Sequence, residues 1–448
     1  MKKRWSRIFA LSMGIPLLLA ILAACGSGTA TTGTTPTAGS TTIKIATEFP
    51  TSAKDATNGK PAENGAHLAV DQANANHTIP GYTLVFDPTD DVGPSGSHDP
   101  AVGAAHVRQL ISDALVAGIM GPFNSSVALS DMPVANQAPI ALLSPSNTNP
   151  CLTKDATADP KDCSGSNNLI STLRPTGKVT YFRIATTDDH QGPAMADYLY
   201  KTVGLKTVYV IDDAETYGVG IANTFSAEWQ TDGGKLLGRS SEAGTTTSYV
   251  SLLTSIATKK PDAIYFGGNN STGGDLIRQQ MLQVPGLATT PLAGGDGIVT
   301  SDYAAAVAAG KGGAAYGTVA TVDEAGVSTA KTFLQQYDAT YGASNLGAYS
   351  AAGYDCANIM IQAIKAALAS GAKTPQNASD LAGAKSFRQA VINAIQNIQF
   401  NGVLGPQSFD ANGDTTNRVV TVYKVGPNPP GVPVSTPGWN PVATVKVG

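Results

Sequence analysis

Short apolar runs rich in β-branched residues alternate with helical patterns along most of this chain. Examples are TIKIAT at 42–47, ALVAGIM at 114–120, TVYVID at 207–212 and DAIYFGG at 262–268. Strands that are apolar throughout, rather than alternating, are typical of parallel sheets covered by helices on both faces. The pattern therefore predicts an α/β fold with doubly wound, Rossmann-like parallel sheets.

The predicted strands are divided between two lobes. A single sheet holding all of them would be unusually large, and after about residue 319 the chain changes to long helical stretches and a Gly/Pro-rich, β-like tail. Two lobes are the economical arrangement for a chain of this length. We assign residues 42–186 and 320–399 to lobe 1, and residues 187–319 and 400–448 to lobe 2.

The N-terminus carries an export signal. A basic segment is followed by an apolar run from Ile8 to Leu22 and by small residues ending at Cys25. This order predicts a signal peptide over residues 1–24, and therefore a protein that acts outside the cytoplasm. Residues 25–41 are rich in Gly, Ser and Thr and too poor in apolar residues to fold, so we expect a flexible tether.

The four cysteines have separate predicted roles. LAAC at 22–25 resembles the lipobox of bacterial lipoproteins, which implies acylation of Cys25 and a lipid anchor in the cell membrane; a plain signal peptide is the alternative. Cys151 and Cys163 flank a polar loop in an oxidising compartment, which predicts a local disulfide. Cys356 lies in a strongly apolar helical pattern and is predicted to be a buried thiol.

Composition argues against several classes of function. Charged residues make up 14% of the chain, the net charge is −4 and no basic run occurs, so nucleic acid is not an expected partner. No phosphate-binding loop, complete dinucleotide fingerprint or metal-ligand spacing is found, and we predict neither a cofactor nor a metal. A hydrolase using Ser125, His190 and Asp188 is a remaining alternative to a binding protein.

Two loops at predicted strand ends are rich in hydroxyl groups. GPFNSSVAL at 121–129 leads from a strand into a helix, where Ser125 or Ser126 can cap the helix beside free backbone N–H groups. A second strand leads into SPSNTNP at 144–150, which carries Ser146 and Thr148. Ligands of open parallel sheets bind at such ends, and these uncharged loops favour a small polar ligand with a carboxylate.

Acidic residues follow the strands of the second half of the chain, among them Asp188, Asp213 and Asp296. An aspartate at this place can bind an ammonium group through a charge-assisted hydrogen bond, although each one alone is more often a turn residue. Together with the serine loops, these residues predict a zwitterion held between the lobes.

Several motifs resemble the leucine/isoleucine/valine-binding proteins of ABC importers. They are HQGP at 190–193, YGVG at 217–220 and GPQSFDANGD at 405–414, and the match runs in order from about residue 43 to 414. The resemblance implies a type I periplasmic-binding fold, with three crossover segments near 185–188, 317–321 and 400–402 and a ligand enclosed by hinge closure. It also implies a monomer that captures an amino acid and delivers it to ABC permease subunits.

The same resemblance implies roles for individual residues. Ser125 is placed on the ligand carboxylate, Ser146 and Thr148 on the remaining carboxyl and amino contacts, and Asp296 on the ammonium. Tyr217 is placed in the aromatic wall, and Asp188 is an acid of the first crossover near the pocket.

The chain departs from the family at two positions. Asn58 and Asn269 stand where relatives often carry aromatic residues around the ligand side chain. An amide or urea-like solute is therefore an alternative to a branched-chain amino acid. A sensory module of the same fold is the alternative to a transport component.

Overall fold

The computed structural model describes residues 41–154, 169–310, 312–429 and 433–446. The strands are β1 (Thr42–Phe49), β2 (Thr83–Asp90), β3 (Val116–Met120), β4 (Ala141–Ser144), β5 (Tyr181–Arg183), β6 (Thr207–Asp212), β7 (Lys235–Ser241), β8 (Ala263–Gly267), β9 (Leu292–Gly294), β10 (Ala315–Val319), β11 (Phe400–Gly402), β12 (Gly405–Gln407), β13 (Val419–Val425) and β14 (Trp439–Lys446). Cys25 and Cys163 lie outside the described residues.

Helices alternate with these strands. They are α1 (Ala56–Ala75), α2 (Pro100–Ser112), α3 (Ser125–Gln137), α4 (Ile170–Leu173), α5 (Asp188–Asp197), α6 (Thr216–Thr231), α7 (Val250–Lys259), α8 (Asp275–Met281), α9 (Ser301–Gly310), α10 (Lys331–Tyr341), α11 (Ser350–Ala369) and α12 (Leu381–Gln396). Short 3-10 turns include Ala53–Asp55 and Asp296–Ile298, and π-helical turns occur at Tyr198–Val203 and Asn270–Gly274. Of the helices so described, none is long and apolar enough to cross a membrane.

Two separate sheets carry the fold. The first has the strand order β2-β1-β3-β4-β5 and is parallel throughout. The second has the order β14-β13-β10-β9-β8-β6-β7, with parallel pairing from β10 to β7 and antiparallel pairing at β13 and β14. The predicted α/β fold with two parallel-sheet lobes is confirmed, and each lobe is named here by its sheet.

Close helix packing covers the first sheet. Helices α1 and α11 approach so closely that a methyl group added to Gly353 would lie 2.0 Å from the Ala62 carbonyl oxygen. Cys356 lies in the buried face of α11 and is free, as predicted. Residues 39–448 together form one compact unit, so the predicted lobe boundaries stay a prediction.

Three crossover segments meet between the sheets. The Thr186 backbone N–H donates to the Ala320 carbonyl at 2.8 Å, and the Thr186 hydroxyl donates to the Val419 carbonyl at 2.8 Å. The third segment therefore enters the second sheet at Val419, later than the 400–402 that the resemblance implies. The reason is that β11 and the following turn stay with α11, where Asp355 accepts the Val403 and Leu404 N–H groups, each at 2.9 Å.

Candidate functional site

The first hydroxyl loop joins β3 to α3. Gly121 has φ 132°, and a Cβ there would lie 2.5 Å from the Glu48 carbonyl oxygen, so glycine is required at the turn. Helix α3 begins at Ser125, which places Asn124 rather than Ser125 or Ser126 at the N-cap. Ser125 is buried, and its hydroxyl has no hydrogen-bond partner among the described residues.

The second hydroxyl loop follows β4 and lies against the first. The Ser146 hydroxyl and the Asn147 amide both donate to the Phe123 carbonyl, at 2.8 and 2.7 Å, and tie the two loops together. Thr148 is buried, and its hydroxyl oxygen has no partner. The Thr148 carbonyl accepts the Asp188 N–H at 2.8 Å, which brings the loop to the start of α5 in the second lobe.

Five residues form a buried hydrogen-bonded group that we name the inner cluster: Asp188, Gln191, Tyr217, Asp296 and Tyr349. The Asp296 carboxylate accepts from Gln191 Nε2 at 2.7 Å, from the Tyr217 hydroxyl at 2.8 Å and from the Tyr349 hydroxyl at 2.9 Å. Gln191 Nε2 also donates to Asp188 at 3.0 Å. Since Tyr349 precedes α11 of the first lobe, its bond to Asp296 crosses between the lobes.

Four buried polar atoms at this place have no hydrogen-bond partner among the residues that the structure describes. They are Asp188 Oδ2, Gln191 Oε1, Thr148 Oγ1 and the Tyr265 hydroxyl oxygen. Tyr265 belongs with the others because the charges of Asp188 and Asp296, after burial itself, raise the pKa of its hydroxyl. Buried polar atoms are nearly always satisfied in proteins, so such a concentration indicates a place for a ligand.

The two carboxyl groups of the inner cluster hold protons more tightly than usual. Burial raises the pKa of Asp188 well above its ordinary value, and the charge of Asp296 raises it further. Burial also raises the pKa of Asp296, although the hydrogen bonds from Tyr217, Tyr349 and Gln191 oppose this. Two buried carboxylates without a bound cation are unfavourable, and a cationic ligand would stabilise both.

Asn58 and Asn269 take part in other contacts. Asn58 Nδ2 donates to Asp55 at 3.2 Å, and Asn269 caps the π-helical turn that follows it, leaving its Nδ2 without a partner. A separate cavity of about 470 Å³ is lined by residues of both lobes, among them Lys54, Thr246 and Ser271, and its lining includes neither of these two asparagines nor any residue of the inner cluster.

A second polar group at the cleft contains Asn58, which the sequence predicted as a site residue, and three residues that it did not predict. Asp55, Asn58 and His98 of the first lobe and Glu215 of the second form what we name the outer cluster. His98 Nδ1 lies 2.8 Å from Asp55 Oδ2, and His98 Nε2 lies 2.7 Å from Glu215 Oε2. Histidine spacing carries no signal for such a contact, because its partners lie 43 and 117 residues away.

The structure also bears on the hydrolase alternative, on an acidic group at the surface and on Cys151. Asp188 bonds to Gln191 rather than to His190, so the inner cluster does not contain the arrangement that a hydrolase would need. Asp197, Glu228 and Asp232, which the sequence did not single out, lie close together in space, but the Lys201 ammonium lies 2.7 and 2.8 Å from the two aspartates. Cys151 is disulfide-bonded. The pairing with Cys163 stays a prediction.

Comparisons with known proteins agree with this architecture. The family described as "Periplasmic binding protein" matches residues 42–429. A Leu/Ile/Val-binding protein of Rhizobium johnstonii is 25% identical over 364 residues, 81% of this chain and 86% of that protein. An amino acid binding protein of Pseudomonas aeruginosa is 28% identical over 54% of this chain and 56% of its own length.

Solved structures share the fold. A leucine binding protein from Thermotoga maritima has a TM-score of 0.69 at 23% identity, covering 90% of this chain and 99% of that one. A solute binding protein of R. palustris in complex with 4-hydroxybenzoate has a TM-score of 0.70 at 18% identity, covering 90% and 97%. With two parallel-sheet lobes, three crossovers and a family match over most of its length, this chain belongs to the periplasmic binding protein family of type I fold, whose members bind substrates and are not enzymes.

Proposed function

We propose that this protein captures an amino acid between its lobes as the binding component of an ABC importer. The observation that carries the proposal is the inner cluster, with two buried carboxyl groups and unpartnered acceptor atoms beside them. Relatives named for binding leucine, isoleucine and valine support the same class of ligand.

The inner cluster matches the hydrogen-bonding capacity of an ammonium group. An ammonium has three N–H donors. Among the described residues, Asp188 Oδ2, Gln191 Oε1 and Thr148 Oγ1 are three buried oxygens with no partner at hydrogen-bond distance, although the Thr148 hydroxyl lies near enough to Asp188 to oppose the rise of its pKa. The positive charge would also allow both Asp188 and Asp296 to ionise, and charge-assisted bonds of this kind contribute roughly 1.5 to 3 kcal/mol each.

The ligand carboxylate is assigned to the start of α3. The Ser125 hydroxyl is buried without a partner beside the first N–H groups of a 13-residue helix. Free N–H groups and the helix dipole favour an anion there. Ser125 on the first lobe and the aspartates on the second would then hold opposite ends of one zwitterion, so the ligand stabilises the closed lobes.

The ligand side chain is assigned to a polar environment. Asn58 and Asn269 stand where the resemblance places aromatic residues around the ligand side chain, and both are buried polar residues. These features favour a polar amino acid, or an amide or urea-like solute as second candidate. An aromatic acid such as 4-hydroxybenzoate has no cationic group to satisfy the two aspartates and is not favoured.

The same proposal places the protein outside the cytoplasm on a lipid anchor. Its support is the basic and apolar segment before Cys25 and the tether to residue 41. We expect ABC permease subunits to receive the ligand, and a monomer to be the working form. A sensory receptor in place of the permease is the alternative, and it would bind the same ligand.

The test is a thermal-shift screen of residues 39–448 against the 20 proteinogenic amino acids, urea, small amides and 4-hydroxybenzoate. A bound amino acid should stabilise the protein by about 2.7 kcal/mol at a hundredfold excess over its dissociation constant. Stabilisation by urea or amides alone would favour the second candidate. No shift with any amino acid or amide would contradict the proposal.

Variants then test the assigned contacts. Asp296→Asn should weaken binding of the amino acid identified in the screen by about ten- to a hundredfold, because it removes one of the two negative charges that balance the ammonium group. Ser125→Ala should weaken binding without lowering the stability of the free protein. The matched control is Asp197→Asn on the outer surface of α5, and affinities equal to that control would refute both assignments.

A further inference from the structure

His98 lies in the cleft and contacts carboxylates of both lobes. Its side chain is 1% exposed, with Asp55 Oδ2 at 2.8 Å and Glu215 Oε2 at 2.7 Å from its two nitrogens. The His98 backbone N–H also donates to Asp55 at 2.8 Å. Asp55 and His98 are therefore held together within the first lobe, while Glu215, just before α6, is the contact that opening of the lobes would break.

The geometry favours a doubly protonated ring, since both ring nitrogens face carboxyl oxygens. A neutral imidazole has one N–H and one lone pair, and the lone pair would face a carboxylate at hydrogen-bond distance. An imidazolium donates to both carboxylates at once. Although burial alone would lower it, the pKa of His98 is raised well above its ordinary value by the hydrogen bonds and charges of Asp55 and Glu215.

Other titratable groups face His98 from the strands beneath it. Asp91, after β2, and Asp213, after β6, both interact with its charge. Burial raises the pKa of both, in Asp213 to about 7. Each of these neighbours is an acid, so any that ionises favours the charged ring of His98.

We infer that His98 is a positioning residue for closure, whose imidazolium bridges Asp55 and Glu215 and holds the lobes together. Ser126, in the first turn of α3, adds a weaker contact to Glu215 at 3.5 Å. Asp55, His98 and Glu215 are not themselves among the ligand contacts assigned above, although Asn58 donates to Asp55. The inference rests on the proposed function only in assuming that the two lobes open and close, and it can be tested without any ligand.

The sign of its pH dependence follows from the contacts. In the open form His98 keeps Asp55 but loses Glu215, so its pKa is lower than in the closed form. The closed form therefore binds the proton more tightly, and protonation favours closure. The His98 bridge stabilises the closed form at and below the ordinary pKa range of histidine. This stabilisation is lost as the pH rises through the raised pKa of His98 in the closed form.

The experiment is small-angle X-ray scattering of ligand-free residues 39–448 at pH 6 and at pH 9. The wild-type radius of gyration should increase with pH, whereas His98→Gln and Glu215→Gln should show the larger value at both pH values. The double variant should add nothing to either single one. Glu215→Gln keeps the result interpretable if His98→Gln folds poorly, since Glu215 is 28% exposed and its side chain caps no helix.

The matched control is His106→Gln. His106 also lies near a carboxylate, Glu48 at 3.4 Å, but both residues belong to the first lobe. This variant should follow the wild type at both pH values. NMR of the histidine rings should also show the pKa of His98 lowered by about one unit or more in Glu215→Gln.

Two outcomes would overturn the inference. One is the same radius of gyration for wild type, His98→Gln and Glu215→Gln at both pH values. The other is a His98 pKa that Glu215→Gln leaves unchanged. Neither outcome depends on which solute binds, so failure of the His98 bridge is distinguishable from failure of the ligand assignment.

Discussion

Replacing Asp414 by asparagine should destabilise the protein strongly, because it leaves a buried guanidinium without its counterion. Arg183, at the end of β5, is completely buried and donates from Nε to Asp414 Oδ1 at 2.7 Å. Its other nitrogens donate to Asn149 O at 2.7 Å and Asn147 O at 3.3 Å, and to the Thr153 hydroxyl. This arginine thus anchors both ends of the short segment that contains Thr148.

The magnitude follows from distance and burial. At 2.7 Å and an effective dielectric constant of about 20, two unit charges attract by about 6 kcal/mol. The variant recovers part of this attraction energy, because burying a neutral asparagine costs less free energy than burying an aspartate. Removing one partner of a buried pair typically costs about 3–5 kcal/mol, and we expect Asp414→Asn to fall in that range.

The assay is urea unfolding of residues 39–448, followed by tryptophan fluorescence and far-UV circular dichroism. Asp197→Asn is the matched control, since Asp197 and Lys201 form an exposed pair with side chains 47% and 54% accessible. Exposed pairs contribute about 1 kcal/mol or less. A loss of unfolding free energy in Asp414→Asn no larger than in the control would refute the stabilising role of the buried Arg183–Asp414 pair.

Three further results are expected from the buried groups. Gly353→Ala should lower the unfolding free energy by about 1–3 kcal/mol in urea, because its methyl group would meet the Ala62 carbonyl, whereas Gly326→Ala, with 3.4 Å of room, should not. Burial raises the pKa of Glu324 to about 8, so the carboxyl group loses its proton at a lower pH in the unfolded chain than in the folded protein. The free energy of unfolding should therefore fall between pH 4.5 and 8, by up to about 1.4 kcal/mol per pH unit. Glu324→Gln should abolish that part of the pH dependence. Cys356 should react with a thiol reagent only after unfolding, since it is buried and burial raises its pKa; rapid labelling of the native protein would contradict its assigned burial.

The sequence was most informative where burial made a pattern unambiguous. β3 and β8 are buried at every position, and their continuous apolar runs were recognised as strands. β7 was not recognised, because it lies at the edge of its sheet and carries lysine, arginine and serine on a half-exposed surface. Edge strands have one free side and therefore a weak hydrophobic pattern.

Some residues of the candidate site could likewise be predicted from the sequence, and others could not. Thr148, Asp188 and Asp296 could be found because they follow strands, and the carboxyl ends of parallel strands meet at one edge. Gln191 and Tyr349 have no such signal. Tyr349 reaches Asp296, 53 positions earlier in the chain, only because the chain returns to the first lobe at α11, and that long-range contact is a property of packing.

The two clusters respond to protons in opposite ways, which limits the conditions under which an occupied, closed cleft is stable. Burial favours the protonated forms of Asp188 and Asp296, whereas an ammonium group is held best by their ionised forms. Binding of an amino acid should therefore release a proton and strengthen with rising pH. Closure needs the charged form of His98, so its contribution should weaken with rising pH.

The affinity for an amino acid should consequently pass through a maximum between these two titrations. A neutral amide or urea would show only the falling limb, because it brings no cation to the aspartates. Isothermal titration calorimetry across pH 5–9, in two buffers of different ionisation enthalpy, measures both the affinity and the proton released. An affinity that only falls across this range, with proton uptake at every pH, would contradict the placement of an ammonium between Asp188 and Asp296.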